Sequence, residues 1–134
     1  MAYHVTAYTT IPAAEIADLL REALTSIPNP CAGSFMVPYP FVPDELANRR
    51  VTSVRLVGLL PSQQIAAHAD QPIAPAVRYH VPLQTNDLCW SFHAGQWIQL
   101  KVGKVYRMDP AEVHGAVNWG SEVRLHLMID CEEA

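Results

Sequence analysis

Basic residues are scarce in this sequence and never gather into a run. Nine Lys and Arg stand against thirteen Asp and Glu, for a net charge of −4. Without a Lys/Arg block there is no electrostatic footprint for nucleic acid or for an anionic membrane surface. Cysteine is equally sparse. Cys31, Cys89 and Cys131 are an odd number at no metal-ligand spacing, which argues against a disulfide framework and for a reducing, cytoplasmic setting. No apolar run approaches the ~20 residues of a membrane span. Residues 1–20 lack a basic segment followed by an apolar one, so no signal peptide is read there.

What is present reads as a single domain over residues 1–134. Half of the residues are hydrophobic and 16% are charged, the balance of a globular chain with one core. Tyr3 to Tyr8 alternate loosely and predict a first strand. Residues 13–24 predict the one helix, with Ile16, Leu19, Leu20, Ala23 and Leu24 on one stripe and Pro12 near its start. Residues 28–43 hold five of the eleven prolines. They predict an ordered, extended loop, in which Phe35, Tyr39 and Phe41 are candidates for a wall or lid. From residue 51 the pattern changes to short strands at about 51–60, 64–69, 76–83, 88–92, 97–100, 104–108, 114–118 and 123–130, divided by turn residues. The division is therefore an N-terminal helix and Pro-rich loop over 1–50 and a β core over 51–130. Eight short strands after one helix predict an all-β sandwich or jelly roll.

Three polar clusters lie on these strands. In AHAD, residues 67–70, His68 and Asp70 are two apart and project to one face of a strand. His114 joins them only through folding. Two His and one carboxylate form the facial triad of non-haem iron(II), which leaves three positions for an organic chelate and O₂. The third cluster is basic. Arg78 and His80 share one face of their strand, and Arg124 and His126 share one face of theirs. Apolar residues back both strands. Few acidic residues fall in phase with these arginines, so a dicarboxylate is expected to pair with them. The turn near 118–121 predicts a hairpin of strands 114–118 and 123–130, with His114 and Arg124 on one face. Taken singly, the same residues have plainer readings. Asp70 suits a turn cap before Pro72, and Arg78 and Arg124 suit surface pairs with Asp87 or Glu122. His126 is equally suited to a structural role. His4 and His93 read as solvated or local, Trp90, Trp97 and Trp119 as core or rim, Asp109-Pro110 as a turn, and Cys89 and Cys131 as small buried hydrophobes.

The stretches HADQPIAPAVRYHVPLQTN and GKVYRMDPAEVHGAVNWGSEVRLHLMID resemble the aspartyl/asparaginyl β-hydroxylase family of 2-oxoglutarate oxygenases, which includes bacterial proline hydroxylases. The resemblance covers about residues 51–130. It implies a double-stranded β-helix, a cupin-like jelly roll. It implies iron(II) on His68, Asp70 and His114, with 2-oxoglutarate as cosubstrate and O₂. Arg124 would hold the distal carboxylate of 2-oxoglutarate. Arg78 and His80 would meet its metal-chelating carboxylate, and His126 completes this candidate cofactor-binding front. Animal members of the family lack the metal-binding carboxylate, so with Asp70 the chain resembles the bacterial branch more closely. The implied reaction is hydroxylation of an unactivated C–H bond in an amino acid, free or within a peptide or carrier. Arg55 on the first core strand is a candidate for a substrate carboxylate. Two other readings stand beside this one. The first is a cupin-like metalloenzyme without 2-oxoglutarate, against which Arg78 and Arg124 argue. The second is a non-catalytic β-sandwich that binds a small acid or a protein, against which the intact triad argues.

Overall fold

The computed structural model describes residues 5–28, 33–70 and 76–132. In chain order the elements are β1 (Val5–Thr10), α1 (Ala13–Leu24), β2 (Ser34–Pro38), a 3₁₀ turn (Asp44–Leu46), β3 (Val51–Leu59), β4 (Gln63–His68), β5 (Ala76–Gln84), β6 (Cys89–His93), β7 (Gln96–Ile98), β8 (Lys104–Met108), β9 (His114–Asn118) and β10 (Arg124–Glu132). The helix spans the residues that its apolar stripe predicts. Its backbone starts after Pro12, and it buries Ile16, Leu19 and Ala23, while Leu24 at its end is exposed. Among the described residues no helix is long and apolar enough to cross a membrane.

The strands form two antiparallel sheets. Six strands run in the order β1-β8-β5-β10-β3-β2 and four in the order β4-β9-β6-β7. Side-chain alternation divides the work of the larger sheet. On β10, Leu125, Leu127, Ile129 and Cys131 are buried with Tyr79, Val81 and Leu83 of β5 and with the apolar face of α1. That face carries the main hydrophobic core. Arg124, His126, Met128 and Asp130 alternate with those residues and so take the opposite face, where Arg124 and Met128 border a cavity shared with the smaller sheet. A period of two thus puts an apolar core behind the sheet and polar chemistry in front of it.

Three expectations are corrected. The segments 114–118 and 123–130 are strands, but they do not form a hairpin. Strand β9 pairs with β4 and β6, whereas β10 pairs with β3 and β5. The cause is Asn118, which is fully buried. Its Nδ2 donates to the Leu59 carbonyl at 2.9 Å and to the Glu122 carbonyl at 2.8 Å, and its Oδ1 accepts from Gly120 N–H at 3.0 Å. These bonds tie the turn to the end of β3, so the chain crosses from one sheet to the other. Second, the Pro-rich segment is not all loop. Ser34–Pro38 pairs with β3 as an edge strand, and Pro38 is its last residue, where a missing N–H is tolerated. Third, of the three wall candidates Tyr39 is buried in the core and Phe41 packs against it, while Phe35, with its ring over Gly58, does border the cavity. Among the described residues of this segment, Ser34 and Met36 border the cavity with it. The first strand begins at Val5, and Tyr3 and His4 lie outside the described residues, as do Cys31 and Pro72.

The sheet of the metal-ligand candidates depends on one glycine. Strand β4 is irregular between Ile65 and His68 where it faces β9. A Cβ on Gly115 would lie 2.7 Å from the Ile65 carbonyl oxygen and 3.2 Å from Ala67 N. Backbone cannot yield as a flexible side chain does. Gly115→Ala should therefore destabilise the protein by about 1–3 kcal/mol, the scale of overpacking. It should also spread His68 from His114 and weaken manganese(II) binding. Urea unfolding and metal titration check this, and an unchanged midpoint with unchanged metal affinity would contradict it.

Candidate metal centre

His68 ends β4 and His114 begins β9, and the two are register partners across that ladder. Asp70 lies two residues beyond His68, after the strand has ended, rather than in phase on it. It reaches the histidines because its N–H is bonded to the Pro110 carbonyl at 3.0 Å. His68 Nε2 stands 3.6 Å from Asp70 Oδ1 and His114 Nε2 stands 3.5 Å from Asp70 Oδ2. One ligand atom from each residue lies within 4.8 Å of the others. Donors bound to one ion at about 2.0–2.2 Å stand roughly 3–4 Å apart, so the three groups fit a single first-row metal. The far ring nitrogens agree. His68 Nδ1 meets the Ala66 carbonyl at 2.8 Å and His114 Nδ1 meets the Glu112 carbonyl at 2.7 Å. A carbonyl accepts from Nδ1–H, which fixes the tautomer with a lone pair on Nε2. Burial lowers the His114 pKa and outweighs its carbonyl partner, which keeps that ring neutral and available to a metal.

Asp70 is held by a chain of ion pairs. Arg78 Nη1 donates to Asp70 Oδ2 at 2.6 Å, and Arg78 Nε and Nη2 donate to Asp130 at 2.8 and 3.2 Å. Arg55 Nη2 donates to Asp130 Oδ2 at 2.7 Å. Burial alone would raise the Asp70 pKa, but the hydrogen bond and charge of Arg78, with His114 and His68, hold it below the ordinary range. Arg78 is desolvated too, and its bonds to Asp130 and Asp70 more than compensate and raise its pKa. The expectation that Arg78 needs an external anion is thus corrected. Asp130, a residue the sequence did not single out, supplies the carboxylate. It was identifiable by parity, because 124, 126, 128 and 130 share one face of β10.

Arg124 is different. It is 5% exposed, and its hydrogen bond is a long one, 3.4 Å from Nη2 to Ser91 Oγ. Among the described residues no carboxylate pairs with it, neither Asp87 nor Glu122. Desolvation pushes its pKa down to about 10. His80 and His126 face each other with 3.0 Å between their Nδ1 atoms, a distance at which one Nδ1–H donates to the other ring's Nδ1. Both are buried. His80 borders the cavity, and its Nε2 is buried with no hydrogen-bond partner.

Arg55, Arg78, His80, Arg124 and the three metal-ligand candidates line one cavity of about 450 Å³ between the sheets. It takes His68, Asp70 and His114 at one part of its wall and Arg124 with Ser91 at another. His93, read as solvated or local, is 1% exposed, borders this cavity and stacks on His114 with ring centroids 6.2 Å apart. Its parity with Cys89 and Ser91 on β6 was the available signal. Trp90, Trp97 and Trp119 are exposed rather than in the core, and none of them lines the cavity, while Cys89 and Cys131 are buried as expected. The Asp109-Pro110 turn is closed by Ala111 N–H donating to Asp109 Oδ1 at 2.9 Å.

This histidine pair sets a pH response. Desolvation first, then the charge of Arg124, keeps the folded-state pKa of His80 and His126 well below 6.5. Above that value both rings are neutral in folded and unfolded chains and contribute no pH dependence. Below it the unfolded chain takes up protons that the folded chain refuses, so stability falls as pH falls. Metal-free protein should lose roughly 3 kcal/mol between pH 7.5 and 5.5 from these two groups. Urea unfolding in EDTA measures the loss. His126→Gln should flatten the profile, and a pH-independent midpoint in the unsubstituted protein would contradict the neutral pair.

Known proteins share both sequence pattern and fold with this chain. The sequence pattern described as aspartyl/asparaginyl beta-hydroxylase matches residues 41–134. No curated protein matches the chain. Among solved structures, EvdMO1 is similar with a TM-score of 0.73 and 14% identity over 96% of this chain and 47% of its own. The chain thus spans about half the length of that protein. AviO1 from Streptomyces viridochromogenes Tue57 is similar with a TM-score of 0.67 and 13% identity over 96% of this chain and 89% of its own. The cupin domain of Schizosaccharomyces pombe Cnp3 gives 0.58 and 12% over 82% and 72%. These likenesses establish a cupin-type jelly roll. The sequence match extends over most of the chain and takes in every residue of the His-Asp-His group, and on that ground the chain belongs to the aspartyl/asparaginyl β-hydroxylase family.

Proposed function

We propose that the protein is an iron(II)- and 2-oxoglutarate-dependent oxygenase that hydroxylates an unactivated C–H bond of an amino acid, free or within a peptide or carrier. The observation that carries this reading is Arg124, a buried guanidinium without a carboxylate partner among the described residues, in the same cavity as three convergent metal-ligand candidates. A buried charge left unpaired is expensive. A ligand carboxylate would relieve Arg124, and a second donor group on the same molecule would reach the metal.

The spacing supports a short diacid. His93 on β6 is the register partner of His114, and Ser91, two residues along β6, is the residue that touches Arg124. Two residues of strand span about 6.5–7 Å, the scale of a five-carbon dicarboxylate. Opposite Ser91 on β9 is Ala116, which also borders the cavity and leaves room there.

Iron(II), held by His68, Asp70 and His114, would supply O₂ activation coupled to oxidative decarboxylation of 2-oxoglutarate. The remaining work belongs to the chain. His68 and His114 present neutral Nε2 atoms because backbone carbonyls hold their Nδ1–H groups. Arg78 keeps Asp70 ionised and in place at neutral pH. Arg124 and Ser91 would orient the distal carboxylate, and the unpartnered Nε2 of His80 is available to the other end. The apolar side chains of Ile65, Ile98, Leu100 and Met128 border the cavity and limit water there.

Two measurements test the reading. Under anaerobic conditions iron(II) plus 2-oxoglutarate should give a weak visible metal-to-ligand band. In addition, 2-oxoglutarate should raise the melting temperature strongly with manganese(II) and weakly with EDTA. Ligand at a hundredfold excess over Kd adds about 2.7 kcal/mol of apparent stability. Absence of the band together with equal shifts in both conditions would contradict chelation of the metal by the diacid.

A further inference from the structure

The charges in and just behind the cavity do not cancel. Three guanidiniums, Arg55, Arg78 and Arg124, stand with two carboxylates, Asp70 and Asp130. One positive charge is left over. A divalent ion would add two, and a dicarboxylate would remove two, so the surplus survives loading of metal and cosubstrate.

Pairing locates that surplus. With the metal on Asp70 and one end of the diacid, and Arg124 on its other end, Arg78 takes Asp130 with two hydrogen bonds. Arg55 must then share Asp130 Oδ2 with Arg78. Its other donors are poorly used. Nη1 meets only the thioether of Met36, at 3.6 Å, a weak acceptor. Nε is buried with no hydrogen-bond partner. Arg55 is also the more open of the two arginines on Asp130, with its side chain 21% exposed against 8% for Arg78. It lies on β3 beside the edge strand β2 and borders the cavity with Met36 and Val57.

We propose that Arg55 binds the carboxylate of the primary substrate, and that the enzyme therefore selects small molecules or chain ends that carry a free carboxylate. This rests on the oxygenase reading, which assigns the metal and Arg124 to the cosubstrate. The Nη1 end of Arg55, which has only a thioether partner, offers a substrate carboxylate a charged donor, and Met36 and Val57 offer apolar contact to the rest. Asp130 fixes the guanidinium from behind. A carboxamide in the same position would bring no charge and leave the surplus in place.

The test uses the manganese(II)-loaded full chain with 2-oxoglutarate. It is titrated with neutral-side-chain L-amino acids and separately with their carboxamides, and thermal unfolding reports binding. At least one acid should bind at least tenfold more tightly than its carboxamide. Arg55→Met should abolish that preference yet keep the response to 2-oxoglutarate, because Asp130 retains Arg78 and the fold survives. With iron(II) and O₂, the acid that binds should stimulate succinate release by the unsubstituted protein and not by Arg55→Met. A 2-oxoglutarate response that is intact while acids and amides act alike, while no acid binds, or while Arg55→Met behaves as the unsubstituted protein would overturn the Arg55 assignment alone. Loss of the 2-oxoglutarate response in the unsubstituted protein would overturn the oxygenase reading, and this assignment with it.

Discussion

Arg124 keeps a positive charge between two sheets with little more than a serine hydroxyl to face it. Desolvation is strong enough to bring its pKa from 12.5 down to about 10. A displacement of that size corresponds to roughly 3 kcal/mol, a large fraction of the ~5–15 kcal/mol by which domains are stable. The fold tolerates it because the other face of the same strand contributes so much. Leu125, Leu127 and Ile129 alternate with Arg124, His126 and Met128, and all three leucine and isoleucine side chains are fully buried. Each such burial stabilises by about 1.5–3 kcal/mol. Strand β10 thus carries the core on one face and the site on the other.

Asp70 shows the opposite arrangement. Every charge around it is paired, in the order Asp70, Arg78, Asp130, Arg55. A metal-ligand candidate that sits beyond the end of its strand gains no orientation from the ladder. Arg78 gives that orientation from the neighbouring sheet, and the carbonyls of Ala66 and Glu112 do the same for the two histidines. Ligands oriented this way are ready for a metal without rearrangement. One guanidinium is committed to structure and another is left for a ligand, although both lie on strands with the same R-x-H pattern.

That distinction marks the limit of what the sequence told. Helix α1 was legible to its ends because its apolar stripe and Pro12 act locally. The alternation on 78–83 and 124–130 was legible because strands have period two, and it correctly placed apolar backs and cationic fronts. The His68, Asp70 and His114 set was legible as residue types at suitable spacing. The pairing of β9 was not, since the crossover at 118–122 depends on the buried amide of Asn118 and a carbonyl of β3, fifty-nine residues away in sequence. The fate of Arg78 was hidden for the same reason. Asp130 lies fifty-two residues on, and nothing local says which arginine it will meet. His93 was misread because a lone histidine before an Ala-Gly turn looks solvated until its register partner is known to be His114.

The central claim is that Arg124 is held at a cost to stability in order to bind a carboxylate, and one substitution separates the two effects. Arg124→Met keeps most of the volume and removes the charge. In metal-free protein it should raise the free energy of urea unfolding, by about 1–3 kcal/mol from the relief of an unpaired buried charge. In manganese(II)-loaded protein it should weaken 2-oxoglutarate by about tenfold or more, the scale of a lost charged hydrogen bond. A variant that is less stable than the parent and binds 2-oxoglutarate equally well would contradict the account.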